Sequence, residues 1–158
     1  MPPAAYSRTQ IRLHWAVFVL IALQFIFHEG IAEAWEQIEE TGAAAGGLLV
    51  LGHVAGGIAI LALVVWRLVL RARHGVPPPL PGTPAATARL AALAHGGLYA
   101  LMLAMVATGA MAWFGGIGVA AEAHEVLRIA LIALIALHVG AALWHHFVRR
   151  DGVLARMR

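Results

Sequence analysis

The sequence predicts an all-α integral membrane protein, a four-helix transmembrane bundle formed by a single domain over residues 1–158. Three observations predict it: an apolar composition, four long apolar runs, and charges sorted between the two sides of a membrane. Hydrophobic residues make up 61% of the chain and charged residues 12%, and the mean hydropathy is +0.81. Because a soluble domain of 158 residues could not bury so much apolar surface, we expect membrane lipid to cover it.

Four apolar runs are each long enough to cross roughly 30 Å of hydrocarbon as helices. They occupy residues 11–29, 47–70, 90–114 and 124–148. The connections contain the helix breakers and most of the charges: residues 36–47, the proline-rich VPPPLPGTP at 76–84 and the glycine-rich GGIGVAAEA at 115–123.

The charges separate by side of the membrane. Ten of the eleven basic residues fall on one side: Arg8, Arg12, Arg67, Arg71, Arg73, Arg89, Arg149, Arg150, Arg156 and Arg158. Seven of the eight acidic residues fall on the other: Glu29, Glu33, Glu36, Glu39, Glu40, Glu122 and Glu125. The positive-inside rule therefore predicts a multi-pass protein with both termini and the proline-rich loop in the cytoplasm.

The first apolar run also has features of a cleavable signal peptide. Arg8 and Arg12 precede it, and Ala32-Glu33-Ala34 imitates a cleavage site. His14 and Gln24 interrupt the run, however, and its removal would break the symmetry of the charges. We therefore interpret it as a membrane span.

The chain has no cysteine but nine histidines. The first fact excludes disulfides, thiolate metal sites, iron–sulfur clusters and covalent c-type haem attachment. Imidazole is then the strongest remaining ligand for a metal or cofactor. The pI near 10.6 would suit nucleic acid, but the basic residues lie in short clusters at the ends of apolar runs. We expect no nucleic-acid partner.

Two histidines mark the last run, AHEVLRIALIALIALHV at residues 123–139. His124 and His138 are fourteen residues apart, which in a helix is about 21 Å along the axis and nearly the same face. Polar rings in a membrane should face the bundle interior and have partners. The plain interpretation is two histidines bonded to backbone carbonyls. The alternative is that each ring binds the iron of its own haem.

Each haem would need a second ligand at matching depth. His14 is the candidate near the cytoplasm, and either His53 or His28 could serve in the outer half. Glycines surround His53 in LGHVAGG and would give a flat macrocycle room to approach the backbone. His28 is fourteen residues from His14, so the first span could supply both partners. Spacing alone does not choose between them.

Four segments resemble the bacterial cytochrome b561 family. They are YSRTQIRLHW at 6–15, GHVAGG at 52–57, the HE…LH pattern of the last run and HHFVRRDGVLARM at 145–157. The resemblance covers essentially the whole chain and implies a four-helix inner-membrane protein with two b haems. Carried over by residue, it implies two pairs of axial ligands: His53 with His124 on the outer side and His14 with His138 on the inner side.

The resemblance also implies a quinone-linked oxidoreductase that oxidises superoxide at the outer face and delivers electrons to ubiquinone. His145 matches the position expected to handle quinone. Haem propionates need counter-charges, for which Arg12, Arg67 and Arg71 are the candidates inside. Arg128 is the candidate outside, both for a propionate and as the cation of an outer catalytic face.

Other functions remain open at this point. The outer segment EGIAEAWEQIEE is strongly acidic and would repel an anion such as superoxide, so a cationic soluble redox protein on the periplasmic side is an alternative donor. The chain could also be the cytochrome b membrane-anchor subunit of a larger enzyme such as a hydrogenase. A third possibility is a structural membrane protein whose histidines bind nothing. We expect His95 to be an interfacial or hydrogen-bonding residue.

Overall fold

The computed structural model describes residue 3, residues 5–43 and residues 46–157; Arg158, one of the predicted cytoplasmic charges, lies outside them. The described residues are all-helical, which confirms the predicted fold class. They form five α-helices: α1 Arg8–Ile26, α2 Glu29–Thr41, α3 Leu48–His74, α4 Ala85–Gly115 and α5 Gly118–Trp144. A π-helical turn, His145–Arg149, continues α5, and a 3-10 turn, Leu154–Met157, follows. Four helices, α1, α3, α4 and α5 with its π turn, are long and apolar enough to cross a membrane.

The sequence indicates where α1 begins but not where it ends. A capping box begins the helix: Ser7 Oγ accepts from the Gln10 N–H at 3.2 Å, and Gln10 Oε1 accepts from the Ser7 N–H at 2.9 Å. The helix ends at Ile26, and His28 is the residue that precedes α2. The first apolar run, predicted to continue to residue 29, is therefore interrupted before His28. His14 and His28 do not share the face of one continuous helix.

The acidic segment after α1 forms a helix, α2, where the sequence predicts a loop between two spans. Its apolar residues Ile31, Ala34 and Ile38 recur at helical spacing, and glutamates occupy five of the remaining positions. Ala34 is 2% exposed, and a Cβ added at Gly30 would lie 2.6 Å from the Cβ of Leu49. α2 therefore packs its apolar face closely against the start of α3.

The core of the bundle is small. One cluster joins α1, α3, α4 and α5, and it consists of Val17, Ile60, Val64, Met102 and Leu131. Large apolar side chains elsewhere point outward, for example Leu93 at 72% and Leu137 at 69% exposed. Soluble proteins rarely expose contiguous apolar surface of this kind, so the outer surface suits lipid.

The helices pack unevenly. α4 packs along α5 and α1 along α3, while α3 and α4 meet over a shorter stretch. Gly116, with φ of 65°, allows the two-residue turn that brings α5 back against α4. Within the described residues, the α5 backbone approaches those of α1 and α3 in few places at most. Side chains, rather than close backbone packing, bridge α5 to α1 and α3.

Chain segments meet at one end of the bundle. Trp15 Nε1 donates to the Met157 carbonyl at 2.9 Å, and Arg156 Nη1 donates to the Pro78 carbonyl at 2.7 Å. This end, the basic end, carries the start of α1, the proline-rich loop and the C-terminal turns. The opposite end, the acidic end, carries α2 and the link between α4 and α5.

Candidate functional site

Four histidines from three helices meet as two pairs. The rings of His53 on α3 and His124 on α5 lie toward the acidic end with centroids 6.4 Å apart and planes at 66°. The rings of His14 on α1 and His138 on α5 lie toward the basic end with centroids 6.3 Å apart and planes at 65°. The structure therefore brings together the partners that the family resemblance implied.

The ring separations allow a test of whether a metal could lie between the rings. A bond between an imidazole nitrogen and a metal is roughly 2 Å long, so two imidazoles on opposite sides of one ion would have centroids about 6 Å apart. Both pairs have this separation. They also bridge α5 to α1 and α3, where the backbones stay apart. The geometry fits one bis-imidazole haem at each pair.

The ring of His124 is held in place by residues of α4. Its Nδ1 lies 2.9 Å from the Met105 carbonyl, to which it donates, and 3.2 Å from Thr108 Oγ1. A Cβ added at Gly109 would lie 3.0 Å from His124 Cε1, so only a glycine leaves the ring its present place against α4. Fixing Nδ1–H leaves Nε2 as the nitrogen with a free lone pair, which is the arrangement that metal-binding histidines use.

His53 has a different environment. Its Nδ1 is buried, and no hydrogen-bond partner for it is found among the described residues; the same holds for Gln24 Oε1. Gln24 Nε2 donates to the backbone carbonyl of His53 at 3.2 Å, so the Gln24 side chain lies against this part of α3. A Cβ at Gly56 would collide with Gln24 Nε2 at 2.0 Å. The unpaired atoms are complementary, since an Nδ1–H donates and an amide oxygen accepts.

The His53–His124 pair opens into a cavity of ≈540 Å³, within the range of cofactor pockets. Its wall contains His53 and His124, the apolar residues Phe25 and Met102, and Gly57. Near the acidic end, charged residues line it: Glu36, Glu39, Glu122, Glu125 and Arg128. The mouth of this cavity is therefore predominantly acidic.

His28 and Arg128 both bind one carboxylate at that mouth. His28 Nε2 lies 3.1 Å from Glu125 Oε1, and Arg128 donates to Glu125 Oε2 from Nε at 3.0 Å and from Nη2 at 2.6 Å. His28 thus contacts a carboxylate beside His124 instead of replacing His53. Arg128 lines the cavity as expected, but the paired Glu125 offsets its charge.

The inner pair has a third histidine beside it. The ring of His95, from α4, lies 5.2 Å from that of His138 with planes at 73°. The sequence predicts His95 to be an interfacial or hydrogen-bonding residue and does not indicate its proximity to His138. It lies on neither of the helices that carry the pair. One feature of the sequence does point weakly to this proximity: His95 lies near the start of the third apolar run, at about the depth of His14.

The predicted inner arginines differ in position. Arg67 is half-buried, with its guanidinium 5.5 Å from the centre of the Tyr99 ring. Arg12 and Arg71 are exposed. Arg67 is therefore the arginine best placed to hold an anionic group within the bundle, while the other two lie at its surface.

His145, the predicted quinone residue, lies at the basic end in the π turn. Its Nδ1 is 2.5 Å from Asp151 Oδ2. This hydrogen bond holds the pKa of the Asp151 carboxyl below its usual range, so the carboxylate stays ionised. Asp151 was not singled out from the sequence, where it is the one acidic residue on the basic side.

Comparisons with known proteins agree with this architecture. The model of the family described as prokaryotic cytochrome b561 matches residues 5–158. The chain is 37% identical over 154 residues to "Cytochrome b562" of Cereibacter sphaeroides, covering 96% of this chain and 94% of that protein. It is 30% identical to "Cytochrome b561 homolog 1" of Escherichia coli K12, with 96% of each chain covered. It is 31% identical to "Probable superoxide oxidase CybB" of Yersinia pestis, with 96% of this chain and 94% of that protein covered.

A family model that matches almost the entire chain and three relatives of at least 30% identity over nearly their full lengths lead to one assignment. The chain belongs to the prokaryotic cytochrome b561 family of haem b membrane cytochromes.

Proposed function

We propose that the protein is an electron conduit with two b haems across the bacterial inner membrane. His53 and His124 would hold the outer haem, and His14 and His138 the inner one. The observation that carries this proposal is the pairing of four histidines from three helices at separations of 6.4 and 6.3 Å. The charge distribution supports an orientation with the basic end and both termini in the cytoplasm.

The residues around each pair support electron transfer rather than oxygen binding. When bound, haem b supplies one-electron redox chemistry. At each pair, both imidazoles would bind the haem iron and would leave no site on it for oxygen. The Met105 carbonyl orients His124, and Arg67 provides a half-buried positive charge for a propionate near the inner pair.

The proposed acceptor is ubiquinone at the basic end, next to His145. The His145 imidazole there would donate a ring N–H to a quinone carbonyl and exchange protons with the cytoplasm. Complete reduction takes two electrons and two protons for each quinone.

Superoxide is the first proposed donor, and the relative named as a probable superoxide oxidase supports it. Two superoxide anions would give two electrons and two molecules of oxygen, and one ubiquinone would take up the electrons with two protons. Arg128 is the candidate cation that attracts the anion, and on this proposal the protein is an oxidoreductase.

A cationic redox protein is the second proposed donor, and one observation specifically favours it. Four glutamates line the mouth of the outer cavity, and one of them is bonded to Arg128. The negative electrostatic potential of these carboxylates attracts cations and repels superoxide.

An optical spectrum of the purified protein, with haem quantified by extraction, tests the cofactor proposal. We expect two low-spin b haems per chain. A content of one haem per chain, or a high-spin spectrum, would contradict the assignment of two histidine ligands to each of two haems.

Stopped-flow reduction at varied ionic strength distinguishes the donors. A reduction rate with a cationic cytochrome that falls as salt rises favours the protein donor. Rapid reduction by superoxide that salt leaves unchanged or accelerates favours superoxide.

A further inference from the structure

The C-terminal segment folds back beneath the inner end of the bundle. α5 gives way to the π turn at His145, and Arg150 then takes a left-handed backbone conformation with φ of 50°. The bonds from Trp15 to Met157 and from Arg156 to Pro78 fasten the segment to α1 and to the proline-rich loop. This reversal brings Asp151 back against His145.

Asp151 makes three contacts with its two oxygens. Oδ2 lies 2.5 Å from His145 Nδ1 and 3.6 Å from Arg149 Nε, and Oδ1 accepts from the Val153 N–H at 3.2 Å. In a region rich in arginine, the shortest contact is thus with an imidazole. A cleft that includes the next residue, Gly152, is lined by His146 and Arg150.

A carboxylate bonded to one ring nitrogen determines what the other can do. With Nδ1–H donated to Asp151, the lone pair of a neutral ring resides on Nε2, and a charged ring presents Nε2–H. A carboxylate partner also stabilises the charged ring, as in other carboxylate–histidine pairs. His145 is half-buried, so its orientation is constrained while cytoplasmic water remains near.

We propose that Asp151 is a positioning residue for proton transfer at His145. This proposal rests on the proposed function, in which ubiquinone accepts electrons beside His145. As electrons from the outer donor reach the quinone, Nε2–H of His145 gives its proton to a quinone oxygen, and Nδ1–H stays bonded to Asp151. The neutral ring then takes a proton from cytoplasmic water. Two such cycles supply the two protons that accompany the two electrons.

The first test compares Asp151→Asn with the wild type. The amide oxygen can still accept from the Val153 N–H, so the turn is retained while the carboxylate is lost. We expect quinone reduction to fall about tenfold, a typical cost of removing such a partner, and its alkaline limb to move to lower pH. Dithionite-reduced haem spectra and the haem content should be unchanged. An unaltered rate and pH profile in a variant with full haem content would overturn the proposal.

Two further variants serve as controls. Asp151→Glu keeps a carboxylate and should retain the alkaline limb at the wild-type pH; a shift equal to that of the amide variant would overturn the proposal. Arg150→Gln removes a nearby charge whose guanidinium donates to the Phe147 carbonyl, and it should behave as wild type.

A double-mutant cycle keeps the proposal testable even if one variant accumulates poorly. If Asp151 acts through His145, the double variant His145→Gln/Asp151→Asn should be no slower than His145→Gln alone. An additional tenfold loss would show that Asp151 acts independently and would overturn the proposal. Failure of the wild type to reduce quinone would instead refute the proposed function, so the two failures are distinct.

Discussion

At the scale of single residues, the surroundings of His124 distinguish between its two candidate partners. His28 and His53 were both candidates to face His124. The structure places the His53 ring 6.4 Å from that of His124 and bonds His28 to Glu125. The two candidates therefore have different expected roles, one at the proposed iron and the other at the cavity mouth.

Alanine substitution separates these roles. We expect His53→Ala and His124→Ala each to remove the same haem, leaving about half of the absorbance, because each removes one of two axial ligands. His28→Ala should retain both haems. Haem content and potentiometric titration of each variant measure this, and loss of the outer haem in His28→Ala but not in His53→Ala would reverse the assignment.

Glu125 offsets the positive charge of Arg128 at the cavity mouth. Because it binds Arg128 through two nitrogens, Glu125→Gln should leave that guanidinium free to attract an anion. We expect reduction by superoxide to accelerate a few-fold at low salt and reduction by a cationic cytochrome to slow. Glu122→Gln, on the same wall, removes equal charge without freeing Arg128. Equal effects of both variants would show that only net charge matters.

At the scale of elements, α5 is positioned by its contact with α4. The close approach depends on Gly109, where an added Cβ would come within 3.0 Å of the His124 ring. α4 therefore acts as the support against which the His124 ring is oriented, although it carries none of the four paired histidines.

Gly109→Ala tests this support. The methyl group should displace the His124 ring by a few tenths of an ångström and cost about 1–3 kcal/mol, as overpacking commonly does. We expect a changed low-spin spectrum and weaker retention of the outer haem, with the inner haem unaffected. Gly140→Ala on α5, where a Cβ meets no neighbour within 4 Å, is the matched control. Wild-type spectra for Gly109→Ala would contradict the role of α4.

The sequence predicted the elements unequally. The four long apolar helices follow from hydropathy, because lipid selects for length and apolarity alone. The break before His28 carries no proline or glycine, so the apolar pattern continued past it. α2 has the periodicity of a helix, but its five glutamates are equally typical of a charged connection between membrane spans. The contact of Asp151 with His145 depends on the left-handed Arg150, which residue types do not indicate. The proximity of His95 to His138 depends on how α4 lies against α5.

At the scale of the whole molecule, the two ends differ in charge. Glutamates line the outer cavity, while α3 ends in Arg71, Arg73 and His74, and Arg67 lies half-buried among the inner groups. An added electron is stabilised by nearby positive charge. The asymmetry should therefore give a haem held by His14 and His138, the proposed inner haem, the higher midpoint potential.

Arg67→Gln tests this asymmetry. Removing the half-buried charge should lower the midpoint potential of the inner haem by tens of millivolts, where about 59 mV corresponds to a factor of ten. Arg89→Gln, which removes an exposed arginine at the same end, should shift it much less. Potentiometric titration measures both, and equal shifts would argue against a local effect of Arg67.

The same charge asymmetry affects the free energy of moving an electron against the membrane potential. In the proposed orientation, an electron that travels inward moves against an interior-negative potential, which costs about 2.3 kcal/mol per 100 mV for a full crossing. Positive charge at the inner end offsets part of this cost because it lowers the energy of the electron on arrival. The arginines that orient the chain during insertion would then also help to keep electron flow directed inward in an energised cell.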